Sequence, residues 1–335
     1  MSDALALTSS LGEGIVQIRL PMAGNPLRYI NGYLLEDGDG YTLIDCGWKA
    51  DDVFAALQQG LAEHGVALGD IRRLLITHYH FDHYGLAGTL LAAGVPSLAM
   101  HALDWEIARM HGRDPVAADV AADAWIERNG LRVEESLEDE LQHRRYDLVA
   151  PTELIDDGER IGRLTAVWTP GHSPGHLCFH DLVSGRLFSG DHVLDPITPH
   201  VGIWREGSGD PLGSYVRSLE KVATLGASGV FPAHGEPFPD LQRRIDELLA
   251  HEAKREEQVL AALVESPASA AGIAGLLPWR RRGDRFEQLS EAHRQFAVAE
   301  TLAHLEHLRV RGLVVQDAGA TPIRYALTTA AVQRV

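Results

Sequence analysis

The chain is expected to fold as an α/β domain over residues 1–250, followed by a smaller domain of helices and one β-hairpin over residues 251–335. Through the first part, short apolar runs alternate with segments of helical periodicity. Near residue 250 this alternation stops. One long polar helical pattern is followed by two more helices and a hairpin signal, with no further strand between them.

In chain order, Ile15–Leu20, Gly32–Leu35 and Tyr41–Ile44 are strands separated by turn-forming residues. Residues 51–64 carry Val53, Leu57 and Leu61 at helical spacing. Arg72–Ile76 is a strand, 84–93 a helix and Ser97–Met100 a strand. Residues 102–150 are charged, Ala-rich and poor in Gly, with helical patterns over 103–110, 117–128 and 133–146. They read as a helical insertion that forms a lid or one side of the substrate pocket, anchored by Trp105, Met110 and Trp125. Strands return at Leu164–Trp168, Leu177–Phe179 and Leu187–Ser189, then a helix over 212–225 and a strand at Gly229–Pro232. Helices follow over 240–264, 269–277 and 291–311, the last with Phe296, Leu302, Leu305 and Leu308 along one face and Gly312 as its stop. Leu313–Gln316 and Ile323–Leu327 form the hairpin, and three helices plus a hairpin is the layout of a winged helix.

Composition excludes several classes. Of the 335 residues, 45% are hydrophobic and 23% charged, which is ordinary for a globular protein. No run approaches 18 apolar residues, so no membrane span is expected. The start of the chain lacks the pattern of a signal peptide, and Cys46 and Cys178 lie in apolar runs as buried thiols, so a cytoplasmic location is expected. The net charge of −17 and the 7% aromatic content argue against nucleic acid as a partner. All of that charge belongs to 1–250, which carries −18 against +1 for 251–335. The helix at 291–311 is neutral, with Arg294, Arg309 and Arg311 set against Glu291, Glu300 and Glu306.

The sequence has 17 His, and their placement is the informative feature. Thr77-His78-Tyr79-His80-Phe81-Asp82-His83 follows an apolar strand and precedes a helix. At a strand end, His78 and His80 point the same way, and the turn brings Asp82 and His83 to a neighbouring point. Two metal ions a few Å apart need such a split donor set. More donors stand just past later strands, namely His172, Asp191 and His234, where α/β folds build their sites. His251, His293, His304 and His307 lie on helices at spacings of packed or solvated faces and are set aside.

These residues, with Leu43-Ile44-Asp45-Cys46-Gly47 and Thr169-Pro170-Gly171-His172-Ser173-Pro174-Gly175-His176, resemble the metallo-β-lactamase superfamily over residues 15–250. The resemblance implies an αββα sandwich with metals at one edge. It implies a first metal site of His78, His80 and His172, a second of Asp82, His83 and His234, and Asp191 bridging both. Many true β-lactamases carry Cys in the second site, whereas neither Cys46 nor Cys178 fits a ligand position here, so the pattern is closer to glyoxalase II-like hydrolases. With the winged-helix layout behind it, the chain also resembles the subfamily of β-lactamase-like protein 2 and the fungal polyketide thioesterases.

The expected activity is that of a dinuclear metal-dependent hydrolase. Two divalent cations would share a water, lower its pKa and direct the resulting hydroxide at a thioester or ester carbonyl, as in an acyl-CoA or a glutathione thioester. The N/O donors suit zinc, and iron(II) or manganese also fit. Asp82 and Asp191 are the candidate catalytic carboxylates. Asp45 and His176 are expected to orient ligands. Tyr29, Asn31, His200 and Trp204 are candidate substrate contacts, and Arg28, Arg205 and Arg280-Arg281-Arg282 are candidates to meet a CoA phosphate. Gly171-His172-Ser173-Pro174-Gly175 matches a nucleophile elbow in form only, because Pro174 has no N–H to offer an oxyanion. A phosphodiesterase or endoribonuclease using the same metal pair, and a non-catalytic winged-helix DNA-binding regulator, are the alternatives. The partners expected are a small-molecule substrate and a second copy in a homodimer.

Overall fold

The computed structural model describes residues 6–38, 40–134, 147–279 and 284–332. The expected helix over 133–146 and the run Arg280-Arg281-Arg282 fall almost wholly outside this set. The described chain divides into two compact units, taken separately below. The first comprises residues up to 113, 143–199 and 218–245. The second comprises 114–142, 200–217 and 246 onward.

The first unit holds two sheets. One has seven strands in chain order: β1 (Thr8–Gly12), β2 (Ile15–Pro21), β3 (Tyr29–Asp37), β4 (Gly40–Ile44), β5 (Ile71–Leu75), β6 (Leu98–Met100) and β7 (Glu153–Leu154). It is antiparallel from β1 to β4 and parallel from β4 to β7. The parallel half follows from the helices placed between its strands, α1 (Asp51–Glu63), α2 (Phe81–Tyr84) and α3 (Ala87–Ala92), since parallel neighbours need a crossover. The other sheet has five strands, β8 (Arg160–Ile161), β9 (Leu164–Trp168), β10 (Leu177–Asp181), β11 (Arg186–Gly190) and β12 (Gly229–Pro232), with only β11 and β12 parallel.

Strand alternation assigns each face. From β2, β3 and β4, Ile18, Leu20, Ile30, Leu34 and Leu43 pack on Val53, Leu57 and Leu61 of α1 and Leu90 of α3. The opposite face sends Ile15, Tyr33, Leu35, Ile44 and Leu75 against Leu164, Ala166, Leu177, Phe179, Phe188 and Phe231 of the second sheet. The sheets therefore share one core, with helices on the outer face of the first. Strand β1 has no apolar alternation, which is why the sequence pattern misses it.

The expected insertion is divided. Helix α4 (Ala102–Arg113) belongs to the first unit, where Trp105 packs on the helix-side core; α5 (Pro115–Arg128) belongs to the second. Met110, expected as an apolar anchor, is 48% exposed. The unit boundaries fall within α6 (Pro211–Ala223) and α7 (Leu241–Ala262), and the second unit then holds α8 (Ala270–Ala274), α9 (Glu291–Val310), the antiparallel pair β13 (Val314–Asp317) and β14 (Arg324–Leu327), and α10 (Thr329–Val332). On α9, Val298, Leu302, Leu305 and Leu308 are buried, but Phe296 is 40% exposed. Phe296 and Leu305 stand nine positions apart, two and a half helical turns, so they face opposite ways. No described helix is long and apolar enough to cross a membrane.

Candidate metal centre

The expected ligand side chains of the first unit stand just past strand ends, on loops or, for Asp82 and His83, in the short helix α2. His78, His80, Asp82 and His83 follow β5, His172 follows β9, Asp191 follows β11 and His234 follows β12. Local backbone chemistry sets the loops. Asp45 adopts a left-handed conformation with φ of 56°, which Asp tolerates better than most residues. Its carboxylate accepts the Thr77 N–H at 2.8 Å and the Thr77 hydroxyl at 2.8 Å. Gly190 precedes Asp191 with φ of 50°, and a Cβ there would meet His176 Nε2 at 2.7 Å and Thr77 Cβ at 2.9 Å. Only glycine lets the loop pass.

Three ring nitrogens converge. His78 Nε2 lies 2.8 Å from His80 Nδ1, and His172 Nε2 lies 3.1 Å and 2.9 Å from those two atoms. A second group forms beside it. His234 Nε2 lies 3.3 Å from Asp82 Oδ2, and His83 Nε2 lies 3.8 Å from the same oxygen. Asp191 faces both groups. Its Oδ2 is 3.6 Å from His172 Nε2, while its Oδ1 is 3.6 Å from His83 Nε2 and 3.5 Å from His234 Nε2.

The site is buried and short of positive charge. His78 and His83 are 0% exposed. Burial, and then the neighbouring histidines, push His78 well below the usual imidazole range, so its ring is neutral with a lone pair to give. Burial and His172 do the same to His80. For His83, burial opposes the charge, yet Asp45, Asp82 and Asp191 hold its pKa well above the ordinary value. Asp191 is held well below the carboxylate range by His234, His83 and His172 against its own burial. A pocket in which three carboxylates draw protons onto histidines is one that a cation would satisfy. His83 Nε2 and Asp191 Oδ1 support this, since each is buried with no hydrogen-bond partner among the described residues. Three sets of donor atoms, His78/His80/His172, His78/His83/Asp191 and Asp82/His83/His234, each lie within 4.8 Å of one another. All donors are N or O, which fits a borderline divalent cation such as zinc.

Behind the donors, the rings of His83 and His78 are aimed by their other nitrogen. His83 Nδ1 lies 2.7 Å from Asp45 Oδ2. His78 Nδ1 lies 3.1 Å from Thr77 Oγ1, whose proton goes to Asp45. Both Nδ1 atoms are then the donors, so the His78 Nε2 lone pair faces the centre, and His83 would present its own there once a cation displaces the proton that the carboxylates hold on it. His176 takes the Asp191 N–H on Nε2 at 3.1 Å and meets Thr169 Oγ1 through Nδ1 at 2.8 Å, so it braces the Asp191 backbone.

Two of the remaining candidates brace the His234 loop. Asn31, expected to touch substrate, is 1% exposed. Its amide donates to the carbonyls of Pro232 at 3.0 Å and Gly235 at 2.8 Å, so it holds the His234 loop. Its strand neighbours leave it facing β12 rather than solvent. The Tyr29 hydroxyl donates to Glu236 at 2.7 Å, on the same loop. His200 and Trp204 belong to the second unit and pack edge-on against Phe296 at 4.9 and 5.1 Å. Arg28 is exposed. Arg205 lines a cavity of about 170 Å³ in the second unit with Trp125, Arg309 and Tyr325. Sequence patterns missed Thr77, Thr169 and Asp104. Each acts through backbone groups or other side chains, and none has a motif of its own.

The Metallo-beta-lactamase superfamily model matches residues 25–234, more than half of the chain and all seven donors. The chain belongs to the metallo-beta-lactamase superfamily. A superfamily protein from Thermus thermophilus has a similar structure, with a TM-score of 0.81 and 32% identity over 95% of this chain and 100% of that one. A beta-lactamase domain protein from Burkholderia ambifaria has a TM-score of 0.78 and 30% identity over 98% of both chains. By sequence, the chain is 28% identical over 319 residues to the "Probable metallo-hydrolase YqjP" of Bacillus subtilis, covering 88% of this chain and 92% of that one. It is 27% identical over 253 residues to the atrochrysone carboxyl ACP thioesterase of Aspergillus fumigatus, covering 72% of this chain and 63% of that one. As a member of the superfamily, the protein is a metal-dependent hydrolase.

Proposed function

We propose that this superfamily member hydrolyses a small-molecule thioester or ester, of the acyl-CoA or glutathione-thioester class, in a glyoxalase II-like manner. The observation that carries the proposal is Asp191, which presents one oxygen to His172 and the other to His83 and His234. His78, His80 and His172 would hold one divalent cation, Asp82, His83 and His234 a second, and Asp191 both. Bound there, zinc or a similar cation would supply Lewis acidity to the acyl oxygen and to a water. The chain's own contribution is placement. Asp45 and Thr77 fix the ring orientations, and His176 fixes the Asp191 backbone. An all-N/O set without a cysteine ligand, and a relative named as a thioesterase, favour acyl transfer to water as the chemistry. We assign the three helices and hairpin after residue 250 to a winged-helix-like domain with a packing or dimerisation role, in a cytoplasmic protein.

The test is thiol release from a panel of acyl-CoAs and S-lactoylglutathione by metal-reconstituted protein, with chelated protein and His80→Ala alongside. Metal-dependent release from one thioester class is the expected result. Metal-loaded protein that releases no thiol from any of them would overturn the substrate class and turn attention to phosphodiesters.

A further inference from the structure

Asp104 sits in the first turn of α4, away from every strand end that supplies a donor. It is 0% exposed, and among the described residues no cation faces it. A buried carboxylate without a counter-charge is costly unless hydrogen bonds satisfy it. Three do. Oδ2 accepts the Tyr79 N–H at 3.0 Å and the Ser173 hydroxyl at 2.6 Å, and Oδ1 accepts the Gly175 N–H at 2.5 Å. The bonded residues are informative. Tyr79 stands between His78 and His80 on the loop after β5. Ser173 and Gly175 flank the turn that follows His172 on the loop after β9. One carboxylate therefore ties together the two loops, from different sheets, whose histidine nitrogens converge within 3.1 Å.

The close approach is built in. A Cβ at Gly175 would lie 2.7 Å from Asp104 Oδ1 and 2.6 Å from the Asp104 backbone nitrogen. No side chain fits there, so Gly175 is what lets the second loop reach the carboxylate. An amide in place of the carboxylate could not reproduce the set. All three partners are donors, split over both oxygens, and an amide NH2 would confront one of them.

We propose that Asp104 is a positioning residue for the His78/His80/His172 cation site, clamping the two loops so that the three nitrogens stay converged when no cation holds them. This rests on the two-cation assignment above. In a clamped site the donors are already arranged, and the cation does not have to order two loops on binding. None of the Asp82/His83/His234 group bonds Asp104, so its affinity depends on the clamp far less.

The experiment is a competition titration of metal-free protein with Zn²⁺ and a chromophoric chelator, resolving two binding steps. It is run on wild type, Asp104→Asn, Ser173→Ala and His80→Ala, the last to mark which step belongs to the three-histidine site. Asp104→Asn is expected to weaken that step by about 10- to 100-fold and to leave the other within about twofold. Ser173→Ala removes one bond of three and keeps the carboxylate. It is expected to weaken the same step a few-fold, and it keeps the proposal testable if Asp104→Asn fails to fold. A role confined to packing would lower the metal-free melting temperature and shift both steps alike. Equal weakening of both steps, or an unchanged three-histidine step, would overturn the clamp. Wild-type protein that binds no zinc would overturn the two-cation assignment as well, which separates the two failures.

Discussion

His83 and Asp191 in the first unit, and Glu252 and Arg255 in the second, are all buried, yet their surroundings are opposite in kind. Around His83 and Asp191 the polar atoms converge on a common point and leave a ring nitrogen and a carboxylate oxygen without a hydrogen bond. Around Glu252 the groups pair off. His304 faces Glu252 at 3.3 Å, Arg255 faces Glu300 at 3.4 Å and stacks over Trp279 at 4.5 Å, and His307 faces Asp210 at 2.9 Å. Single unsatisfied nitrogens occur in the second unit too, such as His304 Nδ1. They stand apart, and every convergent set of three metal-type donors among the described residues lies in the first unit. Burial of charge therefore does not mark a site. Convergence of unsatisfied donors does, because only an additional cation completes it.

The strongest way to break this comparison is to supply and withdraw the cation. Chelation, or His80→Ala, is expected to lower hydrolysis by about 10³-fold or more, the several kcal/mol that Lewis-acid stabilisation provides. Hydrogen exchange gives the matching structural readout. Added Zn²⁺ should protect 77–83, 171–176, 190–192 and 233–235 through mass action on the native state, and leave 252–311 unchanged. Equal protection of both regions would mean that the second unit's cluster also binds metal, and the contrast would fail.

A smaller effect tests how the donors are aimed. Asp45→Asn keeps the size of the side chain but removes the charge that His83 Nδ1 and Thr77 both address. Zinc affinity is expected to fall about 10- to 100-fold, read by competition with a chelator, with secondary structure intact by circular dichroism. Unchanged affinity would show that the orientation of His83 is set by packing alone.

The donors themselves were legible in the sequence because each stands shortly after an apolar strand, where alternation and turn residues leave a recognisable signature. Asp45 was legible only through its place in the resemblance, since its own neighbours, a strand before it and Gly47 after it, read equally well as a turn cap. Asp104 was not, since its partners are backbone N–H groups 25 and 71 positions away, and no local pattern encodes them. Asn31 misled for a related reason. A polar residue in a strand suggests an open face, but the chain from Pro232 to Gly235 crosses that face and takes its amide. Phe296 misled because apolar identity was weighted above phase on α9. The layout of strands and helices was readable from periodicity, whereas the division of 102–150 between two units depends on tertiary packing that periodicity does not carry.

The smallest effect concerns the paired cluster. Burial pushes Glu252 up to about 7 and His304 down to about 4, so both are neutral near pH 6. Glu252 alone would make the folded state gain stability as pH falls from 7 to 4.5, because the folded form binds a proton that the unfolded form releases. His304 alone would make it lose stability as pH falls from 6.5 to 4, because the unfolded form takes the proton more readily. Between pH 4.5 and 6.5 the two slopes cancel at about 1.4 kcal/mol per pH unit each. Glu252→Gln removes one slope and leaves the other. The variant, measured metal-free against wild type by hydrogen exchange in α9, is expected to lose about 2 kcal/mol of relative stability as pH is lowered across that window. His304→Gln should do the reverse, losing relative stability as pH is raised from 4.5 to 7. If neither variant departs from the wild-type pH profile, the pair is not held neutral by burial. The second unit would then carry a true buried ion pair, and its difference from the first would lie in pairing geometry rather than in the suppression of charge.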